Sequence, residues 1–381
     1  MPRIERRSVL LCDMSALTAN YAAVRACLPS AAPPPICVLK ANAYGHGAAA
    51  IAAALYAVGA RQFAVSEIDE ALPLAELLPG AEILVLGYTP PEAAPYAAEH
   101  DIVLTVPDEE IAKSFSRRLC GRRLKIHLKL NSGMNRTGFL LTPEAFDGSI
   151  DAILRVAATE GLCPTGIYSH MATADEGFCP TTARQLSRFR AAVAALARRG
   201  VALPAHLSAS AGIALGGLGF PRTRVGLALF GYSPSPTATV PGLRPVAKLR
   251  TAIGQILDLP PGETVGYGAT YCTRGRERVG VLSLGYADGL PRSATGAHVR
   301  VGGVRVPLIG RISMDAATVL LPTPLGESTP HTATVFGEEQ NDLYELAEVS
   351  GTIPYEILSR LGPRIDRKYF YEGHYRDSDP P

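Results

Sequence analysis

The sequence has no concentrated basic segment and no apolar run long enough to cross a membrane. Its net charge is +2, with 37 Lys and Arg against 35 Asp and Glu mixed along the chain. Binding to nucleic-acid phosphates needs a concentrated basic face, so a nucleic-acid partner is not expected. A membrane helix needs about 20 apolar residues in a row, so no membrane partner is expected either.

Cysteine motifs are absent as well, because the seven cysteines are scattered and none has Cys-x-x-Cys spacing. This predicts reduced, mostly buried thiols and excludes a disulfide framework or a zinc site, so no metal is expected. Near the amino terminus, Arg6-Arg7 precede the apolar run Val9–Cys12, which ends at Asp13 and is too short for a signal-peptide core. The sequence therefore predicts a cytoplasmic protein.

Apolar residues are abundant instead, at 47% of the chain against 19% charged residues, which predicts a large core and little disorder. A chain of 381 residues suits two domains. Eight runs in the first part are typical of buried strands: Ile36–Lys40, Phe63–Ser66, Ile83–Leu86, Ile102–Thr105, Leu124–Leu130, Gly166–His170, Ala205–Ser208 and Arg224–Leu229. Helical spacing occurs between them, for example in Gly47–Gly59, Asp108–Leu119 and Ala183–Arg199.

Eight strands separated by helices predict an α/β fold whose amino-terminal part is a TIM-like (β/α)8 barrel. An open doubly wound sheet is the alternative, but no GxGxxG fingerprint follows the first strand. The Pro/Ser stretch that begins at Tyr232 predicts a boundary, with the barrel in residues 1–240 and a mostly β domain in residues 241–381. We expect the first ten or so residues to pack with the second domain.

The second part contains strand-like runs at Ala247–Leu257, Val279–Leu284, Val299–Val301, Val304–Ile309, Ala316–Leu321 and Thr332–Phe336. Only Asp342–Ser350 and Tyr355–Arg360 have helical spacing there. A mostly β carboxyl-terminal domain is therefore expected.

Lys40 closes the first predicted strand and begins the octapeptide Lys-Ala-Asn-Ala-Tyr-Gly-His-Gly. In a parallel barrel, catalytic groups lie at the carboxyl ends of strands and in the loops that follow. Partial desolvation there lowers the pKa of a lysine and suits it to Schiff-base formation. For Lys40 taken alone, the ordinary alternative is a lysine whose stem covers apolar surface while its head stays in solvent.

The octapeptide resembles the cofactor motif of the alanine racemase family, pyridoxal-phosphate enzymes built from a barrel and a β domain. Further segments resemble that family's other motifs in the same order: His127–Gly138, Ser169–Asp175, Ser208–Ala211, Thr223–Gly226, Gly266–Tyr271, Gly285–Gly289, Gly310–Asp315 and Tyr355. One motif alone would be weak. A series that runs in order through both predicted domains is specific to the family.

The resemblance implies pyridoxal 5'-phosphate as the cofactor, with Lys40 binding it covalently. The phosphate would be held by a nearly uncharged set, namely Tyr44, Ser210, the backbone of Gly226 and Leu227, and Tyr355. Arg224 would face the pyridine nitrogen, which stays unprotonated beside an always charged guanidinium. The ring is then a weaker electron sink, so removal and return of a proton is the expected outcome.

Racemisation needs a base on each face of the α-carbon, and the resemblance implies Lys40 on one face and Tyr267 on the other. Tyr267 can act as a base only within a buried network, which the resemblance assigns to His170, linked to Arg224, and to Arg136. In this family the tyrosine reaches the cofactor of the partner subunit, which implies a homodimer with composite sites. The implied activity is interconversion of L- and D-alanine, for cell-wall peptides or for D-alanine catabolism.

The resemblance also implies how the substrate is held. Arg136 and the Met314 backbone would bind its carboxylate. Lys129 matches a lysine that many members carry in carbamylated form, which fixes the arginine and turns a cation into an anion. The residues that would support or line a narrow entrance channel are Asp175, Tyr286, Arg292, Arg311, Asp315 and Ile353. Tyr286 and Tyr355 would restrict the substrate side chain to about methyl size.

The sequence departs from the family pattern at Asn131-Ser132, where Asp-Thr is commoner, and at Asn135. Asn-Ser is similar to broad-specificity racemases, although those usually lack the lysine found here as Lys129. A broad-specificity, serine or lysine racemase of the same fold is therefore the alternative. A pyridoxal decarboxylase is disfavoured because it is expected to have an acid in place of Arg224. A single-barrel pyridoxal-binding protein would lack the second domain.

Overall fold

The structure, a computed structural model, describes residues 7–234, 239–322, 331–371 and 374–375. Residues 1–6 of the first predicted domain and residues 235–238 of the Pro/Ser stretch lie outside the described residues. The domain boundary near residue 240 therefore stays a prediction.

The strands are β1 Ser8–Asp13, β2 Ile36–Val38, β3 Gln62–Val65, β4 Glu82–Val85, β5 Val103–Val106, β6 Leu124–Asn131, β7 Phe139–Leu140, β8 Leu162–Tyr168, β9 Ala205–His206, β10 Arg224–Val225, β11 Ala247–Leu259, β12 Thr264–Val265, β13 Tyr271–Cys272, β14 Glu277–Leu282, β15 His298–Val301, β16 Val304–Ile309, β17 Ala317–Leu321, β18 Thr332–Phe336, β19 Asp366–Tyr371 and β20 His374–Tyr375. The helical segments are α1 Met14–Ala26, α2 Lys40–Tyr44 (a single turn), α3 Ala48–Ala57, α4 Ile68–Leu77, α5 Ala94–Glu99, α6 Glu109–Ser116, α7 Phe146–Ala157, α8 Pro180–Arg198, α9 Ser210–Ala214, α10 Gln340–Val349 and α11 Pro354–Ser359. Short 3-10 turns occupy Pro91–Ala93, Ala174–Glu176, Gly216–Gly219, Leu227–Phe230, Tyr267–Ala269, Tyr286–Asp288 and Arg292–Ala294.

The first sheet contains eight parallel strands in the order β10-β2-β3-β4-β5-β6-β8-β9, and the short strand β7 pairs with β6 off this path. A parallel bridge between His206, on β9, and Arg222 joins its two ends, so the sheet closes into a barrel. Strands of such a barrel are covered on both faces and are therefore apolar throughout. In β4, for example, Ile83, Leu84 and Val85 expose at most 1% of their surface. The predicted (β/α)8 barrel is confirmed, and each predicted strand overlaps an observed one.

Several predicted strands extend past the observed carboxyl ends, because β2 ends at Val38, β8 at Tyr168 and β10 at Val225. The residues beyond two of these ends stay buried although the chain has left the sheet, as Leu39 and Leu227 do. Burial of apolar side chains looks the same in a strand and in a buried turn, so composition could not place these ends.

The second sheet has the order β14-β17-β16-β15-β18-β11-β1-β19-β20, and β14 also pairs with β11, which closes six of the strands into a ring. Its pairings are antiparallel except for that of β1 with β19. Strand β1, from the start of the described chain, lies between β11 and β19. The mostly β carboxyl-terminal domain is confirmed.

One hydrophobic core cluster extends through both sheets and the helices that cover the barrel. Helix α8 follows the expected pattern, with Pro180 at its first turn and Leu186, Phe189 and Leu196 buried at helical spacing. None of the described helices combines the length and the apolar character that crossing a bilayer requires.

Candidate active site

An open cavity of about 720 Å³ lies where the barrel strands end. It is reached by residues at or just past the ends of β2, β4, β8 and β9, among them Val38, Leu86, Tyr168 and Leu207. Catalytic sites of parallel barrels occupy this face. Twelve of the predicted site residues line the cavity: Lys40, Tyr44, Lys129, Arg136, His170, Asp175, Ser210, Arg224, Gly226, Leu227, Ile353 and Tyr355.

Lys40 lies just past the end of β2, at the start of the turn α2, and not on the strand as predicted. Its side chain is accessible from the open cavity, yet the surrounding protein removes part of its hydration. Desolvation and the nearby charge of Arg136 lower the pKa of Lys40, and Glu70 partly offsets this. A lowered pKa leaves more of the amine unprotonated, which a nucleophile requires.

The turn after Lys40 is left-handed, because residues 41–44 have φ angles between 52 and 54°. L-residues lose about 1–2 kcal/mol each in this conformation, so the surroundings must stabilise it. The Glu70 carboxylate accepts from the backbone N–H of Asn42 (3.3 Å) and of Ser66 (2.8 Å). The Asn42 side-chain oxygen accepts from the N–H of Ala48 (2.8 Å). These bonds join the turn to the end of β3 and to the start of α3.

Arg224 is buried among neutral acceptors. One terminal nitrogen donates to Nδ1 of His206 (2.6 Å) and to the carbonyl of the same residue (3.2 Å). The other terminal nitrogen donates to the carbonyls of Ser169 (2.8 Å) and Leu207 (3.1 Å). It also lies 3.2 Å from Nδ1 of His170. Desolvation lowers the pKa of Arg224 to about 10, so the group stays cationic near neutral pH. Among the described residues Nε has no hydrogen-bond partner, so its N–H is the donor left for a group in the cavity.

His170 is neutral in this environment. A guanidinium only donates, so Nδ1 of His170 must accept from Arg224 and the ring proton must sit on Nε2. Desolvation, followed by the charges of Arg224, Lys129, Arg136 and Lys40, holds the pKa of His170 well below its usual value. The Nε2–H of His170 is therefore available as a donor at the cavity.

Hydroxyl groups and backbone meet on another side of the cavity, in a cradle formed by Tyr44, Ser210, Gly226 and Tyr355. Ser210 Oγ accepts from the N–H of Gly226 (3.2 Å), which leaves its own proton to donate. A Cβ on Gly226 would lie 2.4 Å from the Tyr44 hydroxyl oxygen, so only glycine permits this approach. Desolvation raises the pKa of Tyr44, and that of Tyr355 to about 12, so both hydroxyls keep their protons.

Lys129, on β6, is 6% exposed, and its ammonium nitrogen lies 4.2 Å from the centre of the Tyr168 ring. Desolvation, then the charges of Arg224 and Arg136, lowers the pKa of Lys129 well below its usual value. Both charges that act on it are positive. A charged ammonium at this place is therefore costly, and a neutral amine is favoured.

The unusual Asn131 stabilises the loop that carries Arg136. Its side-chain oxygen accepts from the N–H of Gly133 (3.2 Å) and of Asn135 (3.0 Å), as an aspartate oxygen could. Ser132, the other departure, lies 2.8 Å from the hydroxyl of Ser169. Asn131 and Ser132, although they depart from the family pattern, therefore both form hydrogen bonds that hold this loop.

Six predicted residues lie outside the lining of this cavity: Tyr267, Tyr286, Arg292, Arg311, Met314 and Asp315. Tyr267 is 68% exposed, Met314 53% and Tyr286 42%. The loops of the last two are joined, since Tyr286 N–H donates to the Ser313 carbonyl (3.1 Å) and Ala287 N–H to the Met314 carbonyl (3.0 Å). One chain therefore displays these residues on its surface and does not bring them to Lys40.

Sequence reasoning missed three residues of the site. Tyr168 and His206 have parallel rings 4.8 Å apart inside the barrel, and the Tyr168 hydroxyl lies 2.8 Å from Thr105 Oγ1. Tyr168 precedes His170 by two positions, and this period of two in a strand could have identified it. Glu70 has no such signal, because its role depends on where the turn meets the end of β3.

A closed parallel barrel with a partly desolvated lysine at its mouth, continued by an antiparallel domain, defines the class of barrel-plus-β-domain enzymes. The sequence model described as "Alanine racemase, N-terminal domain" matches residues 12–234. That described as "Alanine racemase, C-terminal domain" matches residues 246–369. The chain belongs to the alanine racemase family, as predicted.

Known proteins resemble the chain over nearly its full length. An alanine racemase of Geobacillus kaustophilus is 35% identical over 381 residues, covering 97% of this chain and 96% of that one. One from Listeria monocytogenes is 37% identical over 341 residues, covering 88% of this chain and 90% of that one. The solved alanine racemase of Bacillus anthracis with bound L-Ala-P has a TM-score of 0.89 at 32% identity, covering 98% and 97%. That of Streptomyces coelicolor has a TM-score of 0.87 at 34% identity, covering 97% and 98%.

Proposed function

We propose that this protein interconverts L- and D-alanine, with pyridoxal 5'-phosphate as cofactor and with Lys40 and Tyr267 as the two bases. The observation that carries the proposal is the environment of Arg224. This guanidinium has only neutral acceptors around it and keeps Nε–H free for a ring nitrogen in the cavity. A carboxylic acid there would protonate that nitrogen, whereas a permanent cation does not. Return of the abstracted proton is then favoured over other outcomes.

The donor set of the cavity fits the cofactor. Bound pyridoxal phosphate supplies an electron sink that makes the α-proton of an amino acid acidic. Lys40 would bind its aldehyde carbon, and Arg224 would donate to its ring nitrogen. Tyr44, Ser210 and Tyr355, with the backbone at Gly226 and Leu227, would hold its phosphate. These hydroxyls keep their protons, and the close approach of Tyr44 to Gly226 brings a hydroxyl and the backbone to one point.

Two bases are needed because one base returns a proton to the face it came from. Lys40 can accept a proton at Nζ, since desolvation and then the charge of Arg136 lower its pKa and favour the unprotonated amine. Tyr267, 68% exposed on its own chain, would enter the cavity of a second copy. The Nε2–H of neutral His170 is a donor that would stabilise the Tyr267 phenolate. The exposure of Met314, whose loop is joined to that of Tyr286, supports the same assembly, a homodimer with composite sites.

Arg136 would bind the substrate carboxylate together with the Met314 backbone of the second copy. Arg136 lines the cavity near Lys40, and its loop is held by Asn131. Tyr355 and Tyr286 would limit the side chain that fits beside them. The remaining residues of the proposed entrance are Asp175, Arg292, Arg311, Asp315 and Ile353.

Lys129 would carry a carbamate that pairs with Arg136. Carbon dioxide reacts with a neutral amine, and the lowered pKa of Lys129 favours that form. The product is an anion placed between cations, with one proton released to solvent. A carbonyl signal after equilibration with ¹³C-labelled CO2 is expected in NMR. It should disappear in Lys129→Met and persist in Lys125→Met, whose lysine is partly exposed and paired with Asp101. A signal that survives in Lys129→Met would exclude carbamylation of Lys129.

The activity is tested by incubating the cofactor-loaded protein with single enantiomers of alanine in heavy water and following chirality and α-deuterium by NMR. Both enantiomers should racemise with α-deuterium incorporation. Tyr267→Phe should abolish turnover from L-alanine, whereas Tyr88→Phe, at an equally exposed tyrosine, should not. If the cofactor binds and no α-proton of any amino acid exchanges, the racemase proposal is wrong.

The alternative is a broad-specificity, serine or lysine racemase, which Asn131-Ser132 suggests. The same experiment with serine, lysine and arginine decides between them. Alanine reacting well ahead of the others supports the first proposal. A larger amino acid reacting fastest would replace it by the alternative.

A further inference from the structure

Four consecutive carbonyls at the end of the left-handed turn and just after it, those of residues 43–46, accept hydrogen bonds from side chains. Nδ1 of His46 lies 3.1 Å from the carbonyl oxygen of Ala43 and 2.9 Å from that of Tyr44. Nε of Arg367 donates to the carbonyl of Gly45 (3.0 Å), and the Tyr369 hydroxyl donates to that of His46 (2.9 Å). The turn is therefore held at its end by side chains.

Two of these donors belong to the second domain. Arg367 and Tyr369 alternate on β19, so both project from the same face of that strand. The terminal nitrogens of Arg367 also donate to the carbonyls of Leu361 (2.8 Å), Gly362 (2.8 Å) and Ile365 (2.7 Å). One guanidinium thus ties the turn to the loop that follows the helix of Tyr355.

Both glycines of the motif are shaped by this contact. A Cβ on Gly47 would lie 1.9 Å from the Tyr369 hydroxyl oxygen, and a Cβ on Gly45 would lie 2.2 Å from the Leu358 carbonyl oxygen. Each glycine also has a positive φ, 101° at Gly47 and 79° at Gly45. The octapeptide is therefore fitted to the second domain and not only to the barrel.

We propose that Tyr369 and Arg367 are positioning residues for the racemisation, because they hold the turn that directs Lys40 and Tyr44 into the cavity. This inference rests on the proposed function. A left-handed turn of alanine, asparagine and tyrosine is intrinsically unfavourable, so loss of an outside donor shifts it towards other conformations. Lys40 and Tyr44 would then lose their common direction, and the cofactor would be held less tightly.

Tyr369→Phe tests this by removing one hydroxyl while keeping the ring. The matched control is Tyr344→Phe, since Tyr344 is also half-buried, belongs to the second domain, and donates to the Ser233 carbonyl (2.9 Å) away from the turn. Three quantities are compared: hydrogen–deuterium exchange of the peptide covering residues 40–47, the dissociation constant of pyridoxal phosphate, and Tm. A merely structural role would lower Tm in both variants alike.

We expect Tyr369→Phe to speed exchange in residues 40–47 and to raise the dissociation constant roughly three- to tenfold above that of Tyr344→Phe. In a second pair, His46→Asn, which keeps an N–H near the position of Nδ1, should bind the cofactor more tightly than His46→Ala. Equal exchange and equal cofactor binding in Tyr369→Phe and Tyr344→Phe would overturn the inference. If the wild-type protein binds no pyridoxal phosphate, the proposed function fails, while the exchange comparison still decides whether Tyr369 holds the turn.

Discussion

At the scale of single residues, the shape and the free donors of the cavity depend on hydrogen bonds that a sequence motif does not reveal. Asn131 departs from the family pattern, yet its side-chain oxygen accepts the two N–H bonds that hold the loop of Arg136. Arg224 was predicted as a cation near the cofactor. The hydrogen bonds that it donates to the His206 ring and to three backbone carbonyls are seen only in the structure. Residue identity therefore predicted the chemistry, and the contacts specify which N–H is left for a ligand.

Gly226→Ala should weaken cofactor binding about tenfold, the cost of roughly one hydrogen bond. The added methyl would lie 2.4 Å from the Tyr44 hydroxyl oxygen and would force that hydroxyl away from the cradle. Gly148→Ala is the matched control, because a Cβ there meets nothing within 4 Å. Titration with pyridoxal phosphate, followed by absorbance, measures both. Wild-type affinity in Gly226→Ala would show that the Tyr44 hydroxyl does not hold the phosphate.

His46 makes stability depend on pH. Desolvation lowers the pKa of His46 to about 4, from 6.5 in its ordinary state. As pH falls below about 6.5 the unfolded chain takes up the proton first, so the free energy of unfolding decreases until about pH 4. The loss amounts to about 3 kcal/mol at 1.36 kcal/mol per pKa unit.

Urea unfolding at pH 7, 5.5 and 4, at fixed protein and cofactor concentration, should therefore show a smaller decrease for His46→Asn than for the wild type. His127, His170 and His206 also have lowered pKa values, so part of the decrease remains. His100→Asn, at the end of α5, serves as the control. If the free energy of unfolding changes equally with pH in the wild type and in His46→Asn, His46 is not a cause of the pH dependence.

At the scale of elements, periodicity identified the barrel strands but not where they end. The chain beyond β2 was predicted to remain a strand up to Lys40, whereas a left-handed turn begins there. Four successive non-glycine residues in this conformation have no local sequence signal. They are stable because Glu70 and His46 bond to their backbone. Arg367 and Tyr369, from the second domain, bond to the carbonyls of Gly45 and His46 that follow.

Strand β1 is a second case in which the element depends on distant partners. Ser8–Asp13 is short and could pair with any open sheet edge. The structure places it between β11 and β19, in register with residues more than 200 positions away. Pairing over such a distance follows from the packing of both domains into one core.

At the scale of the whole molecule, one chain separates the two proposed bases. Lys40 lines the cavity, while Tyr267 is 68% exposed outside it. If each site combines Lys40 of one copy with Tyr267 of the other, Lys40→Ala and Tyr267→Phe inactivate different halves of it. A heterodimer of the two variants then retains one intact site out of two.

Heterodimers purified through two different tags should therefore have about half the wild-type activity, although each variant alone is inactive. The control pairs Lys40→Ala with the double variant Lys40→Ala/Tyr267→Phe, in which no site has both bases. Activity in the first pair, together with inactivity of the control pair, supports composite sites. An inactive first pair would place both bases in one chain.

The sequence by itself determined the succession of strands and helices, the family, and the residue types of the candidate site. These follow from local properties: apolar periodicity, glycine in turns, and ordered motifs. Only the tertiary structure decided the handedness of the turn after Lys40, the register of β1 between β11 and β19, and the neutral surroundings of Arg224. Each of these depends on contacts between segments far apart in the chain, and a local pattern carries no information about which distant donor or acceptor will face it.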